Sequence, residues 1–196
     1  VPEQYTHTVE VERPVREVYD QWTQMEDFPH FMHGVERVEQ ITDTQMRWHV
    51  SIAGVDRTFD AVISEQVPDE LIAWGSLDGP QQDGVVTFRS LGPDRTQVSL
   101  AMTFEPDGLV EKAGDALGFV ERRVKGDLER FKDFIESRDA ATGEWRGTVA
   151  GGVEQGDMRQ EGIQPGGLQS GGLQSGGLPS SSAQQDIPGG TIPPRI

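Results

Sequence analysis

Residues 26–36, EDFPHFMHGVE, place two histidines three apart, His30 and His33, among the carboxylates of Glu26, Asp27 and Glu36. Imidazole and carboxylate at this density can bind a transition metal or exchange protons near neutral pH. A zinc or iron site, however, needs three or four ligands on rigid elements, with each ring oriented by a second partner. Here Phe31 and Met32 separate the histidines, and the chain turns at Pro29 and Gly34. The segment reads better as a packed corner at the mouth of a pocket, with its histidines in solvent, and no metal is expected.

The remaining titratable side chains are scattered. A general acid or base working in a cavity has to face into it. His49 alternates with Trp48 and Val50, so it faces out if they face in. His7 shares a face with Tyr5, Val9 and Val11 and is the better inward polar anchor. Arg57, Asp60, Tyr19 and Ser76 are further conceivable anchors. None of these forms a nucleophile–base pair or a two-carboxylate set of recognisable spacing, so no catalytic residue is assigned. The phosphate-loop pattern G-x-x-x-x-G-K-[ST] is absent, and the acidic clusters lack the ligand spacing of a calcium loop. With no cysteine, neither a disulfide nor a thiolate metal site can form.

Charge narrows the choice of partner. The formal net charge is −16, and residues 1–140 alone hold 28 acidic against 14 basic groups, a balance of −14. Nucleic acid and anionic membranes are bound by neutralising phosphates with Lys and Arg, so this balance argues against both. No run approaches the ~20 apolar residues of a membrane-spanning helix. The start, VPEQYTHTVE, lacks the basic and apolar segments of a secretory signal. A cytoplasmic protein without a cofactor is the expectation.

The elements that must position these groups are legible from periodicity. Alternation of Tyr5, His7, Val9 and Val11 predicts a strand ended by Pro14, which then suits the first turn of a helix with Val15, Val18, Tyr19 and Trp22 on one stripe. After the EDFPHFMHG corner, six strand-length segments follow: VERVEQI, MRWHVSIA, RTFDAVISEQV, LIAWGSL, DGVVTFRSL and TQVSLAMTF. Their short connections favour an antiparallel meander. Leu109, Ala113, Leu117, Val120, Val124, Leu128, Phe131 and Ile135 then recur at helical spacing. At ~1.5 Å per residue that predicts a closing helix of roughly 40 Å.

Beyond Arg138 periodicity fades into GGLQS, GGLQS and GGLPS repeats, too rich in glycine to offset ordering entropy. The expected organisation is a folded domain over 1–138, a flexible linker over 139–185, and a short Pro- and Ile-bearing peptide over 186–196 that could dock on a protein partner.

Three stretches, PVREVYDQWTQMEDFPHFMHGVERVE (14–39), RTFDAVISEQVPDELIAWGSLDG (57–79) and the closing helix, resemble the polyketide cyclase/dehydrase group of the START-like, Bet v 1-like superfamily. That group also holds coenzyme-Q-binding START proteins. The resemblance spans about residues 3–137 and implies an α+β helix-grip fold: a curved antiparallel sheet around the long helix, with a cavity between them. It further implies binding of a hydrophobic small molecule (a lipid, an isoprenoid quinone or a polyketide-like aromatic), with an aromatase/cyclase-type enzyme as the catalytic alternative; the Gly-rich tail ending in DIPGGTIPPRI, outside the resemblance, offers a tail-tethered adaptor as the non-enzymatic one.

Within that frame, the residues expected to line the cavity are Trp48, Phe59, Trp74, Phe88 and Met102 on the strands, faced by Leu117 and Val120. Phe28 and Phe31 are expected at the entrance, and His7 is the polar anchor. Binding without catalysis is the expected role.

Overall fold

The computed structural model describes residues 3–52, 54–78, 82–104 and 116–155. Seven strands run in the order β1-β7-β6-β5-β4-β3-β2, every neighbouring pair antiparallel. These are β1 Glu3–Val11, β2 Val35–Gln40, β3 Gln45–Ile52, β4 Val55–Val67, β5 Leu71–Ser76, β6 Gln82–Gly92 and β7 Arg95–Phe104. The first strand therefore closes on the last of the meander, Glu3 opposite Phe104 and Val11 opposite Thr96. The α+β helix-grip expected from the sequence is the fold observed.

Between β1 and β2 lie the helix α1, Val15–Thr23, and a short 3-10 helix, Met25–His30. Pro14 stands one residue before the helix, as its N-cap, and its carbonyl accepts the first helical bond from Val18 N–H at 3.2 Å. The stripe anticipated on α1 is buried: Val18 and Tyr19 at 0 % exposure, Trp22 at 1 %. Helix α2, Ala116–Glu136, packs across β1 and β7. The expected start of that helix, at Leu109, lies outside the described residues.

Arg13 pins the far end of α2. Its guanidinium donates to the carbonyls of Ile135 (3.4 Å), Glu136 (3.0 Å) and Arg138. The Ile135 carbonyl also takes the Arg138 N–H at 3.3 Å, and a cation at this helix end suits the helix dipole. Glu12 N–H donates to the Glu136 carboxylate at 2.7 Å, so the β1–α1 corner and the C-terminus of α2 hold one another.

One expectation is corrected. The flexible linker was expected to begin at 139, but residues 139–155 form an ordered strap over α1 that ends in a small hairpin, β8 Thr148–Ala150 and β9 Val153–Gln155. The strap supplies partners for polar side chains that α1 buries. Gln21, fully buried, exchanges hydrogen bonds with Thr142, its Oε1 taking the Thr142 N–H at 3.0 Å and its Nε2 donating to Thr142 Oγ1 at 3.1 Å. Thr23 Oγ1 accepts from Trp145 N–H, and Arg146 bridges Asp20 and Asp69 at 2.6 Å each. β8 pairs with β4 at Glu65 and Gln66 and buries Val149 completely. The compact unit thus extends over Val1–Met158. The glycine-rich repeats and the 186–196 peptide lie outside the described residues.

Candidate functional site: a cavity between the sheet and α2

The concave side of the sheet is filled differently at its two ends. At the base, α1, the 3-10 helix and the C-terminal half of α2 bring five aromatic rings together. Trp22 meets Phe131 edge-on at 4.6 Å between centroids, Phe28 at 5.8 Å, Phe31 at 5.9 Å and Phe88 at 6.3 Å. Towards the N-terminal half of α2 no such ring cluster is found among the described residues, and a cavity of about 80 Å³ remains. An engineered cavity that takes benzene measures roughly 150 Å³. A larger molecule would therefore have to extend through the mouth, where Phe119 lines the opening and is 38 % exposed.

Trp48, Phe59, Trp74 and Met102 line the cavity from the strands, and Val120 lines it from α2. Trp48 and Phe59 are cross-strand neighbours with parallel rings, 6.1 Å apart at an interplanar angle of 7°. Trp74 lies over Gly84, its cross-strand partner, so closely that a Cβ there would come within 2.2 Å of the indole. A side chain at position 84 would drive that ring into the cavity.

Other expected site residues lie elsewhere. Phe88 belongs to the base, edge-on to Tyr19 at 5.5 Å. Phe28 and Phe31 are not at an entrance: they are 2 % and 1 % exposed, in the aromatic base, because the 3-10 helix turns them inward against Trp22. His7 shares a sheet face with Leu100, its cross-strand partner, yet it is not among the lining residues. Leu117 belongs to α2, but its side chain lies outside the described residues. His49 faces outward as expected, within reach of Arg37 at 3.2 Å and Thr58 at 3.1 Å. Asp60 is paired on the outer face with Arg47, at 2.7 and 2.9 Å. Tyr19 is buried in the base against Gln66, and desolvation pushes its pKa up to about 12 despite that hydrogen bond.

The polar groups of the lining were not anticipated. Arg123 and Asp127 project from α2 one turn apart, at the edge of the Val120–Val124 stripe. Asp127 Oδ1 accepts the His33 N–H at 2.8 Å and is also bonded by Arg130. Arg130 in turn donates to the Phe31 carbonyl at 2.9 Å. The EDFPHFMHGVE corner thus engages the charged face of α2 through its backbone, while both imidazoles stay exposed. Gly34, at φ +78°, lets the corner turn with no side chain where a Cβ would meet the Ser51 carbonyl at 2.6 Å. Among the described residues no group of three or more His, Cys, Asp or Glu side chains is placed to hold a metal.

Burial acts on both charges. It pushes the Asp127 carboxyl above the usual carboxylate range, against the pull of the His33 N–H and of Arg123 and Arg130. It also lowers the pKa of the Arg123 guanidinium, which Asp127 offsets only in part. One signal in the sequence could have found the pair: two charges beside an apolar helical stripe that otherwise faces a sheet.

The sequence profile described as polyketide cyclase / dehydrase and lipid transport matches residues 11–133. The chain belongs to that family. A member from Streptomyces lincolnensis, an uncharacterized 17.2 kDa protein in the melC2–rnhH intergenic region, is 57% identical over 143 residues, 72% of this chain and 95% of that one. Among solved structures, a Deinococcus radiodurans protein aligns with a TM-score of 0.56 at 25% identity, covering 69% of this chain and 98% of that one. The Zhui aromatase/cyclase from a Streptomyces species aligns at 0.61 and 23% identity, covering 74% and 100%. A START superfamily protein from Mycobacterium smegmatis aligns at 0.51 and 20% identity, covering 65% and 97%. These likenesses show that the chain shares its fold with these proteins. No helix among the described residues is long and apolar enough to cross a membrane.

Proposed function

We propose that the chain binds a hydrophobic small molecule (a lipid, an isoprenoid quinone or a polyketide-like aromatic) between α2 and the concave sheet, and holds it without chemical change. The observation that carries this reading is the cavity wall itself. Trp48, Phe59 and Trp74 line open space, although Trp48 also meets Phe28 at 5.6 Å and Phe59 at 6.1 Å, whereas Trp22 at the base is enclosed by four rings. Aromatic faces of this kind hold a ligand by buried area and stacking. Met32 and Met102 add adaptable, polarisable surface to the same lining.

The non-catalytic part of the reading rests on how the acidic group of the lining is used. One oxygen of Asp127 is taken by the His33 N–H and Arg130, and the other faces Arg123 at 3.8 Å, so the carboxylate serves to hold α2 to the corner.

Native mass spectrometry of the full chain, followed by organic extraction, tests the reading. The expected result is an apolar molecule retained at close to one per chain, or taken up at that ratio from a mixture of quinones and fatty acids. An empty, folded protein that takes up neither would overturn it. Turnover of a polyketide substrate that Asp127→Asn abolishes would overturn the non-catalytic part and leave the binding part standing.

A further inference from the structure

Arg123 has more donors than partners. The triad on α2 carries two guanidinium groups and one carboxylate, and the tight contact of that carboxylate is with Arg130. Arg123 meets Asp127 only at 3.8 Å through Nε. Its Nη1 and Nη2 lie 3.7 and 3.6 Å from the place a Gly34 Cβ would occupy, against bare backbone. Among the described residues the Arg123 guanidinium makes no hydrogen bond. A guanidinium keeps its proton at neutral pH, so a cation stands in the cavity lining without a full counter-charge among the described residues.

A second, independent feature shares the lining. Trp48 is 7 % exposed, and its indole Nε1–H has no hydrogen-bond partner. Buried donors are nearly always satisfied, and one left unpaired calls for an explanation. Both orphaned groups are donors. Apart from the Asp127 carboxylate, whose Oδ1 is taken by the His33 N–H and Arg130, the surroundings, Val35, Phe59 and Val124 among them, are apolar.

From these observations, and resting on the binding role proposed above, we infer that the cavity takes a monoanionic ligand: an apolar body ending in a carboxylate, received by the Arg123 guanidinium and the Trp48 indole N–H. A single negative charge balances the excess of one positive charge in the Arg123–Asp127–Arg130 triad. The forked donors of a guanidinium match the two oxygens of a carboxylate. A dianionic phosphate would leave a buried charge uncompensated, and an uncharged ligand, even one whose carbonyl accepts from these donors, would leave the guanidinium charge without a counter-charge.

The test is calorimetric titration of the full chain at pH 7 with 2-naphthoate and with 2-naphthamide, its uncharged near-isostere. Hydrogen bonds to charged groups lead us to expect the carboxylate to bind at least about tenfold more tightly. Arg123→Gln should bring the ratio to within about twofold of unity by weakening the carboxylate more than the amide, and Trp48→Phe should reduce it by about threefold. Binding of the amide by the variant, together with an unchanged melting temperature, reports that the cavity is intact. Where the Gln variant does not fold, Arg123→Lys takes its place: the charge is kept, the fork is lost, and the preference should fall several-fold. Equal affinity of the parent for both probes overturns the anionic end and leaves the cavity reading in place. A preference unchanged in the Arg123 variant overturns the assignment to that residue. Binding of neither probe overturns the cavity reading, and the anionic end with it.

Discussion

At the base of the grip Trp22 is surrounded by four other rings and is 1 % exposed, whereas Trp74, in the cavity wall, rests on the backbone of Gly84 and is 8 % exposed. The two ends use the same residue types for different purposes. At the base α1 and the 3-10 corner supply Phe28 and Phe31 to complete the packing. At the other end α2 supplies Val120 and Val124, whose small side chains leave room, together with two charges. What decides between core and cavity is therefore the layer lying over the sheet, and not the composition of the sheet itself.

That contrast predicts a graded series of effects. Trp22→Ala should cost about 3–5 kcal/mol, the range for deleting a large buried aromatic side chain, read from urea unfolding. Trp74→Ala should cost less than about 2 kcal/mol, because its site already opens on space, while ligand retention is lost. Equal costs would mean that the two ends do not differ in packing.

Removing the strap comes next. A chain ending after Arg138 leaves Asp20, Gln21 and Thr23 without their strap partners and uncovers the site of Val149. At about 1–3 kcal/mol per unpaired polar group, with water replacing some of these bonds, we expect roughly 2–4 kcal/mol of lost stability. A chain ending after Gln155 should melt like the parent. If the two truncations melt alike, the strap adds nothing to the base.

Gly84→Ala tests the cavity end alone. Displacement of the Trp74 ring should weaken binding of an apolar probe by about tenfold or more, with a smaller change in stability. Unchanged binding would show that the ring has somewhere else to go.

The charged lining gives a pH signature. Burial holds the Asp127 carboxyl above its unfolded value, so between about pH 4 and that raised value the native state keeps a proton the unfolded chain has released. Stability from this group falls as pH rises through the window. Relative to Asp127→Asn, the parent should lose stability over that range, and parallel curves would remove the role of burial. The smallest effect belongs to the exposed histidines: His30→Ala and His33→Ala should each change stability by less than about 0.5 kcal/mol, and added zinc should leave the melting temperature unchanged.

Much of this architecture is written locally. The strands announce themselves because one face is buried and the other is not, so Trp48 and Val50 flank His49, and Phe59 and Ala61 flank Asp60. The corner reads correctly because Pro29 and Gly34 turn the chain irrespective of tertiary context. Assigning Phe88 to the cavity wall fails for a different reason: period two gives the face of the sheet but not what covers it, while Phe28 and Phe31, expected at the entrance, sit on the 3-10 corner, which turns them into the base. The strap is hidden because its partners are remote, Gln21 from Thr142 by 121 residues and Asp20 from Arg146 by 126, and a polar segment rich in glycine carries no periodic signal. Arg123 and Asp127 were visible as charges beside an apolar stripe. Their significance depends on the corner that α2 meets, which periodicity along a single helix does not encode.

The Arg13 clasp has a consequence for the order in which the molecule assembles. Its carbonyl partners on Ile135, Glu136 and Arg138 are more than 120 residues further along the chain, and β1 likewise waits for β7. Contacts of such sequence separation form slowly, since the loop-closure entropy comes before any gain from the contact. During synthesis the β2–β7 meander can pair as it emerges, while β1 and α1, made first, stay without their closing partners until α2 and the strap have left the ribosome. The earliest-made part of the domain is therefore among the last to be secured, and until then its apolar stripe is the surface a chaperone would meet.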